Sequence, residues 1–186
     1  MPSPKKAAKK VAKKTVGHHH DKHHQANDLR RAYEHMGRIA ALRHSSKSST
    51  TDTVAELTTL AQHSIKSGHS KDAADLLRAS EHLSFAVLAG EVSTVVHVSV
   101  ELEQSITEHF EELTRRAEKH SEGEQSSDVL AGIYQSSRNR AAQAFKARAY
   151  HQALEFARAA EALAHVKLHG PLKLEDDPTN LQLKSA

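Results

Sequence analysis

The chain has no cysteine and no tryptophan among its 186 residues, and only seven glycines, four prolines and seven Phe or Tyr. Without cysteine there is no disulfide framework, no thiolate zinc site and no thiol nucleophile. Glycine is scarce and never clustered, so phosphate-cradling loops, nucleophile elbows and dinucleotide fingerprints are missing as well. No apolar run reaches the length of a membrane span. The Lys-rich N-terminus lacks the apolar stretch of a secretory signal. It has no Arg before Arg30 and little Ser, which argues against a transit peptide. These absences point to a cytoplasmic protein.

What is present is charge, divided unevenly. Residues 1–24 hold seven lysines against Asp21, a net of +6, while the remaining 19 cations face 22 anions, a net of −3. Residues 1–26 carry almost no large apolar side chain. They cannot bury enough surface to offset the entropy of ordering, so they are expected to form a disordered tail. Residues 171–186, after Gly170-Pro171, are expected to form an extended C-terminal tail. A chain of this length suits one domain between such tails.

Helical spacing of apolar side chains runs through residues 27–170. A first helix is expected from Asn27 or Asp28 to about Arg43. A second starts near Thr53, where Thr53-x-x-Glu56 has the form of a capping box. A third spans about Ser70 to Ala89, with Gly90 as its C-terminal cap. Val96, Val98 and Val100 alternate like a strand, but Val92, Val95, Ser99, Leu102, Ile106, Phe110, Leu113 and Ala117 keep helical spacing. One helix over about Ser93–Lys119 is the reading that results. A fifth helix places Leu130, Ile133, Tyr134, Ser137, Ala141, Ala144 and Phe145 inward. A sixth, about Tyr150–His169, uses Ala153, Phe156, Ala157, Ala160, Leu163 and Val166. The fold class is therefore all-α, about six helices.

Two of these hairpins are related. Residues 61–90 align with residues 141–170 at a shift of 80, with nine identities in 30 positions, including Arg-Ala-x-Glu-x-Leu at Arg78–Leu83 and Arg158–Leu163. Internal repetition bears on the whole architecture. In the second copy Ala141, Ala144, Tyr150, Ala153, Leu154, Ala157 and Ala160 carry a small-and-aromatic signature. In the first copy Leu57, Leu60, Ala61, Gly68, Ala73 and Ser80 do so. On these residues the hairpins, about 52–90 and 128–170, resemble the tetratricopeptide repeat. That resemblance implies a scaffold that binds a peptide or protein, without catalysis. The copies depart from the family in being 80 residues apart rather than tandem at about 34. They also have Ser70 where the second copy has Tyr150, and Arg148 where the turn glycine would stand. Two Ala-rich antiparallel hairpins in a helix bundle is the alternative architecture.

The tail supplies the binding candidates. Lys5, Lys6, Lys9, Lys10, Lys13 and Lys14 come in pairs spaced by small residues, a pattern that resembles linker-histone and bacterial histone-like tails. Such pairs can neutralise phosphates without reading bases. No aromatic residue interleaves them, so base stacking is not on offer. Nucleic acid or another polyanion is the expected tail partner, with nucleoid association as the corollary. His18, His19, His20, His23 and His24 put five imidazoles and Asp21 within seven residues. Such tracts bind Ni2+ or Zn2+ loosely, which makes metal binding an alternative function; no other cofactor is implied. His165 and His169 stand one turn apart but have no second ligand pair.

An enzyme reading rests on Arg followed four to six residues later by His, the spacing of HEPN-class helical ribonucleases. Arg30–His35, Arg38–His44 and Arg115–His120 fit it. The fuller motif is approached only at Arg138-Asn139, where Gln143 replaces the His. With 16 histidines such spacings arise by chance. The expectation is a non-catalytic interaction protein, binding a protein partner or itself through the helical body and a polyanion through the tail, with no membrane contact.

Overall fold

The computed structural model describes residues 24–42, 49–92, 98–121 and 127–167. Among them the chain is all-helical, with no strand. Helix α1 covers residues 24–42, followed by α2 (Ser49–Lys66), α3 (Ser70–Val92), α4 (Val100–Ser121), α5 (Asp128–Lys146) and α6 (Tyr150–Ala164). The tail lysines, His18 to His23 and residues 168–186 lie outside the described residues. No helix among those described is long and apolar enough to cross a membrane.

The repeat is reproduced bond for bond at its turns. After α2, Gly68 N–H donates to Ile65 C=O (3.0 Å) and His69 N–H to Ser64 C=O (2.8 Å). After α5, Arg148 N–H donates to Phe145 C=O (3.0 Å) and Ala149 N–H to Ala144 C=O (2.9 Å). Both pairs form the Schellman arrangement, which satisfies the last carbonyls of a helix by placing one residue in the left-handed region. That residue is Gly68 (φ 81°) in one copy and Arg148 (φ 58°) in the other. The turn survives in the second copy although its glycine does not.

Helices α2 and α3 form one hairpin, α5 and α6 the other, and the two join through α3 against α6, with α4 lying on α6. The small side chains explain the closeness. Ala73, Ala74, Ala79 and Ala86 on α3, with Ala153, Ala157, Ala159, Ala160, Ala162 and Ala164 on α6, are all buried. Side chains this small allow close approach of packed helices. Leu57, Leu76, Leu77, Phe156 and Leu163 fill the space between them and are the largest fully buried apolar side chains. From Ala159 to Ala164 every residue of α6 is buried. A helix without a solvent face needs neighbours all round, and α3, α4 and α5 supply them.

Several boundaries differ from the sequence expectation. α2 begins at Ser49, so Thr53 lies inside the helix and does not cap it. At its Thr-rich start Thr50 meets α5, where its hydroxyl accepts from Arg140 (2.8 Å). α3 runs through Gly90 to Val92. α4 starts only at Val100, after non-helical Val98 and Ser99. The Ser99 hydroxyl accepts from Leu102 N–H (3.3 Å) and its carbonyl from Glu103 N–H (2.9 Å), so Ser99 caps α4. The helix expected from Ser93 is therefore interrupted at 98–99, and residues 93–97 lie outside the described set. α6 ends at Ala164 rather than His169. His165 and Val166 N–H turn back to Ala162 and Leu163 carbonyls (both 3.2 Å), and Lys167 N–H donates to the Asp72 carboxylate (3.0 Å). The chain leaves the helix because α3 offers an acceptor there.

Candidate functional site

The shared motif places a glutamate inside the body in each copy. Glu81 on α3 and Glu161 on α6 are 8% and 9% exposed, and neither is left alone. Glu81 accepts from His35 Nδ1 (2.5 Å) and pairs with Arg38 Nε (2.8 Å), both on α1. Glu161 pairs with Arg78 Nη2 on α3 (2.6 Å) and lies 3.9 Å from Arg116 Nη1 on α4. Each glutamate thus takes its partners from neighbouring helices. A buried carboxylate is retained only when charge and hydrogen bonds are returned to it.

The arginines of the motif diverge. Arg78 crosses to Glu161, whereas Arg158 turns back along its own helix to Glu155 (2.6 Å). Glu155 also accepts from His82 Nδ1 of α3 (2.7 Å). Burial pushes the Glu155 carboxyl up, but its bonds to His82 and Arg158 outweigh that and hold it below the ordinary glutamate range. The matching position in the first copy is Asp75, one methylene shorter. Burial raises its carboxyl to about 6, against the pull of Arg78 and Lys71. At the end of α6, the His165 ring lies against His120 of α4, centroids 4.0 Å apart. Burial first, and His120 second, lower the His165 pKa, with Glu161 opposing.

Among the described residues, the arginine–histidine pairs of the enzyme reading do not meet as pairs aimed at one cavity. Arg30 bonds Asn27 (3.0 Å) and lies 3.8 Å from Glu34, while His35 is held by Glu81. Arg38 shares Glu81 with His35. Arg115 is bidentate on Glu112 (2.8 Å each), away from the His120–His165 contact. Arg138 donates to Glu118, and Asn139 accepts from Gln135 (3.3 Å). His44 lies outside the described residues, as does His169, so the His165–His169 pair has only its first member in view. That member is at the helix end rather than on a continuing helical face. Among the described residues no group of three His, Asp or Glu converges as a metal site. His24, the last of the tract, is the first residue of α1.

The sequence did not single out a groove of about 240 Å3 between α2, α3 and α5. Thr50 and Thr53 of α2, Leu83 of α3, and Val129, Ile133, Ser136 and Arg140 of α5 contribute to its walls. Arg140 lies over the Phe156 ring at 4.3 Å and donates to Thr50. Its signal in the sequence is faint: Gly132, Ser136 and Arg140 recur at helical spacing as small or polar residues on one side of α5. Comparison of the chain with protein-family models, with curated proteins and with solved structures finds no match.

Proposed function

We propose that this chain is a non-catalytic helical interaction protein whose basic N-terminal segment contacts nucleic acid or another polyanion, while the helical body engages a protein partner or a second copy. The observation that carries the reading is the division of charge: six paired lysines over positions 5–14 on an otherwise mildly acidic chain. It is supported by the body, where the glutamates of the repeated motif are already neutralised by cations from neighbouring helices. The excess of positive charge lies over positions 1–24, and the rest of the chain carries a net of −3. The tetratricopeptide-like reading of the body draws support from the matching Schellman turns of its two hairpins, with α4 standing between them in sequence.

The test is duplex DNA binding by the full chain and by a variant with Lys5, Lys6, Lys9, Lys10, Lys13 and Lys14 all changed to Gln. Substitution is preferable to truncation at Asn27, which would remove the first residues of α1. Six phosphate contacts give a log–log salt slope near −5, so affinity should fall about a thousandfold between 50 and 200 mM salt. The variant should lose binding and slope with its helical CD signal unchanged. Undiminished binding by the variant would refute the reading.

A further inference from the structure

We propose that the groove between α2, α3 and α5 is a binding site for a small monoanion, a carboxylate carried on a short apolar body. The proposal is independent of the tail. It starts from a cation whose partner is missing. The other half-buried arginines among the described residues, Arg78, Arg138 and Arg158, each pair with a glutamate. Arg140 is held by the Thr50 hydroxyl (2.8 Å) and the face of Phe156, and by no carboxylate among the described residues. Burial is what lowers its pKa, with no charged neighbour contributing. A half-buried guanidinium has lost part of its hydration with no charge returned to it, and its planar fork suits a carboxylate.

The surroundings favour the same chemistry. Thr50, in the first turn of α2, and Thr53, about one turn further on, bring two hydroxyls to the groove. Asp52 of that turn does not line the groove. Ser136 adds a hydroxyl on the α5 side. Leu83, Ile133 and Val129 give the groove an apolar wall beside these hydroxyls. The one carboxylate in the lining, Asp128, stands about 18 Å from position 140 along the α5 axis at the usual helical rise. It disfavours a second negative charge at that end. One cation, an apolar wall and a distant anion select a monoanion with an apolar body over inorganic phosphate. The volume, below the range of drug-sized pockets, limits that body to a few carbons.

The experiment is a titration of the 15N-labelled full chain with sodium hexanoate, with inorganic phosphate and 1-hexanol in parallel at matched ionic strength, followed by NMR. Hexanoate should produce saturable shifts at the amides of Thr50, Thr53, Ser136 and Arg140 and bind more tightly than either comparison ligand. Arg140→Gln should weaken it at least about tenfold. Gly132→Leu tests the groove without touching the cation. A Cβ at Gly132 meets nothing within 4 Å, and leucine is the better helix former, so this variant should fold and block binding. Hexanol or phosphate binding as tightly as hexanoate would overturn the proposal. So would the absence of saturable shifts, or hexanoate binding unaffected in Gly132→Leu.

Discussion

Exchanging the turn residues of the two hairpins should move stability in opposite directions. Arg148 sits at φ 58° and Gly68 at φ 81°, each closing a Schellman turn at the same place in the repeat. For a residue with a Cβ the left-handed region costs about 1–2 kcal/mol. Glycine avoids that strain but gives up more backbone entropy on folding, about 0.5–1 kcal/mol. Arg148→Gly should therefore gain about 0.5–1 kcal/mol. The Arg148–Glu103 contact it removes is 3.7 Å long with the arginine side chain 71% exposed, so solvent screening limits its loss to a few tenths. Gly68→Ala should cost about 1 kcal/mol. A Cβ at Gly68 meets nothing within 4 Å, so the whole cost is backbone conformation. Urea denaturation of the full chain, followed by far-UV CD, measures both. The midpoints should shift in opposite directions at constant slope, with thermal midpoints moving about 2–4 °C per kcal/mol. A lowered midpoint for Arg148→Gly, or an unchanged one for Gly68→Ala, would refute the strain argument.

Asp75 should make the body more stable when it is replaced by Asn. Its folded carboxyl is raised to about 6, so between about pH 4 and 6 the folded state holds a proton that the unfolded chain has released, and stability falls as pH rises through that window. Asp75→Asn should remove this slope and add on the order of 2 kcal/mol above pH 6, read by denaturation at pH 4.5 and 7.5. His165 acts with the opposite sign. Its folded pKa is lowered, so the unfolded chain takes up a proton first and stability falls as pH drops below about 6.5. A pH series on His165→Gln should show a shallower decline on the acid side, and an identical decline would discount the His120–His165 contact. Phe156→Ala removes the largest fully buried side chain and the surface beneath Arg140. It should cost about 3–5 kcal/mol in thermal or urea denaturation, and a cost under about 1 kcal/mol would mean that the site collapses freely.

The hairpins were legible because their signals are local. Leu57, Leu60, Ala61, Leu76, Leu77 and Leu83 keep helical spacing in the chain and are buried in the structure. The break after Lys66 carries a glycine, and the matching break after Lys146 could be read only by aligning the copies. Helix starts were less legible. Thr53-x-x-Glu56 offers capping chemistry, but the helix already includes Ser49, and Thr50 packs against Arg140 from α5. At Ser99 the long apolar periodicity concealed a cap. The groove was hidden because Arg140 is, in one dimension, another cation on an amphipathic helix. Its burial depends on Thr50, 90 residues away, and on the ring of Phe156.

The sequence by itself determined that this chain forms helices, about where they lie, and that two hairpins share one design. Periodicity, turn hydrogen bonding and side-chain volume act between neighbours in the chain. The tertiary structure alone decided that α6 is enclosed on all sides from Ala159 to Ala164, because Ala159, Ala162 and Ala164 are equally at home facing water or a neighbouring helix. It alone decided that Glu81 and Glu161 are paired inside rather than solvated outside, and that Arg140 is not. Whether a charge is stabilised depends on which groups surround it in space, and those groups come from helices far apart in the chain.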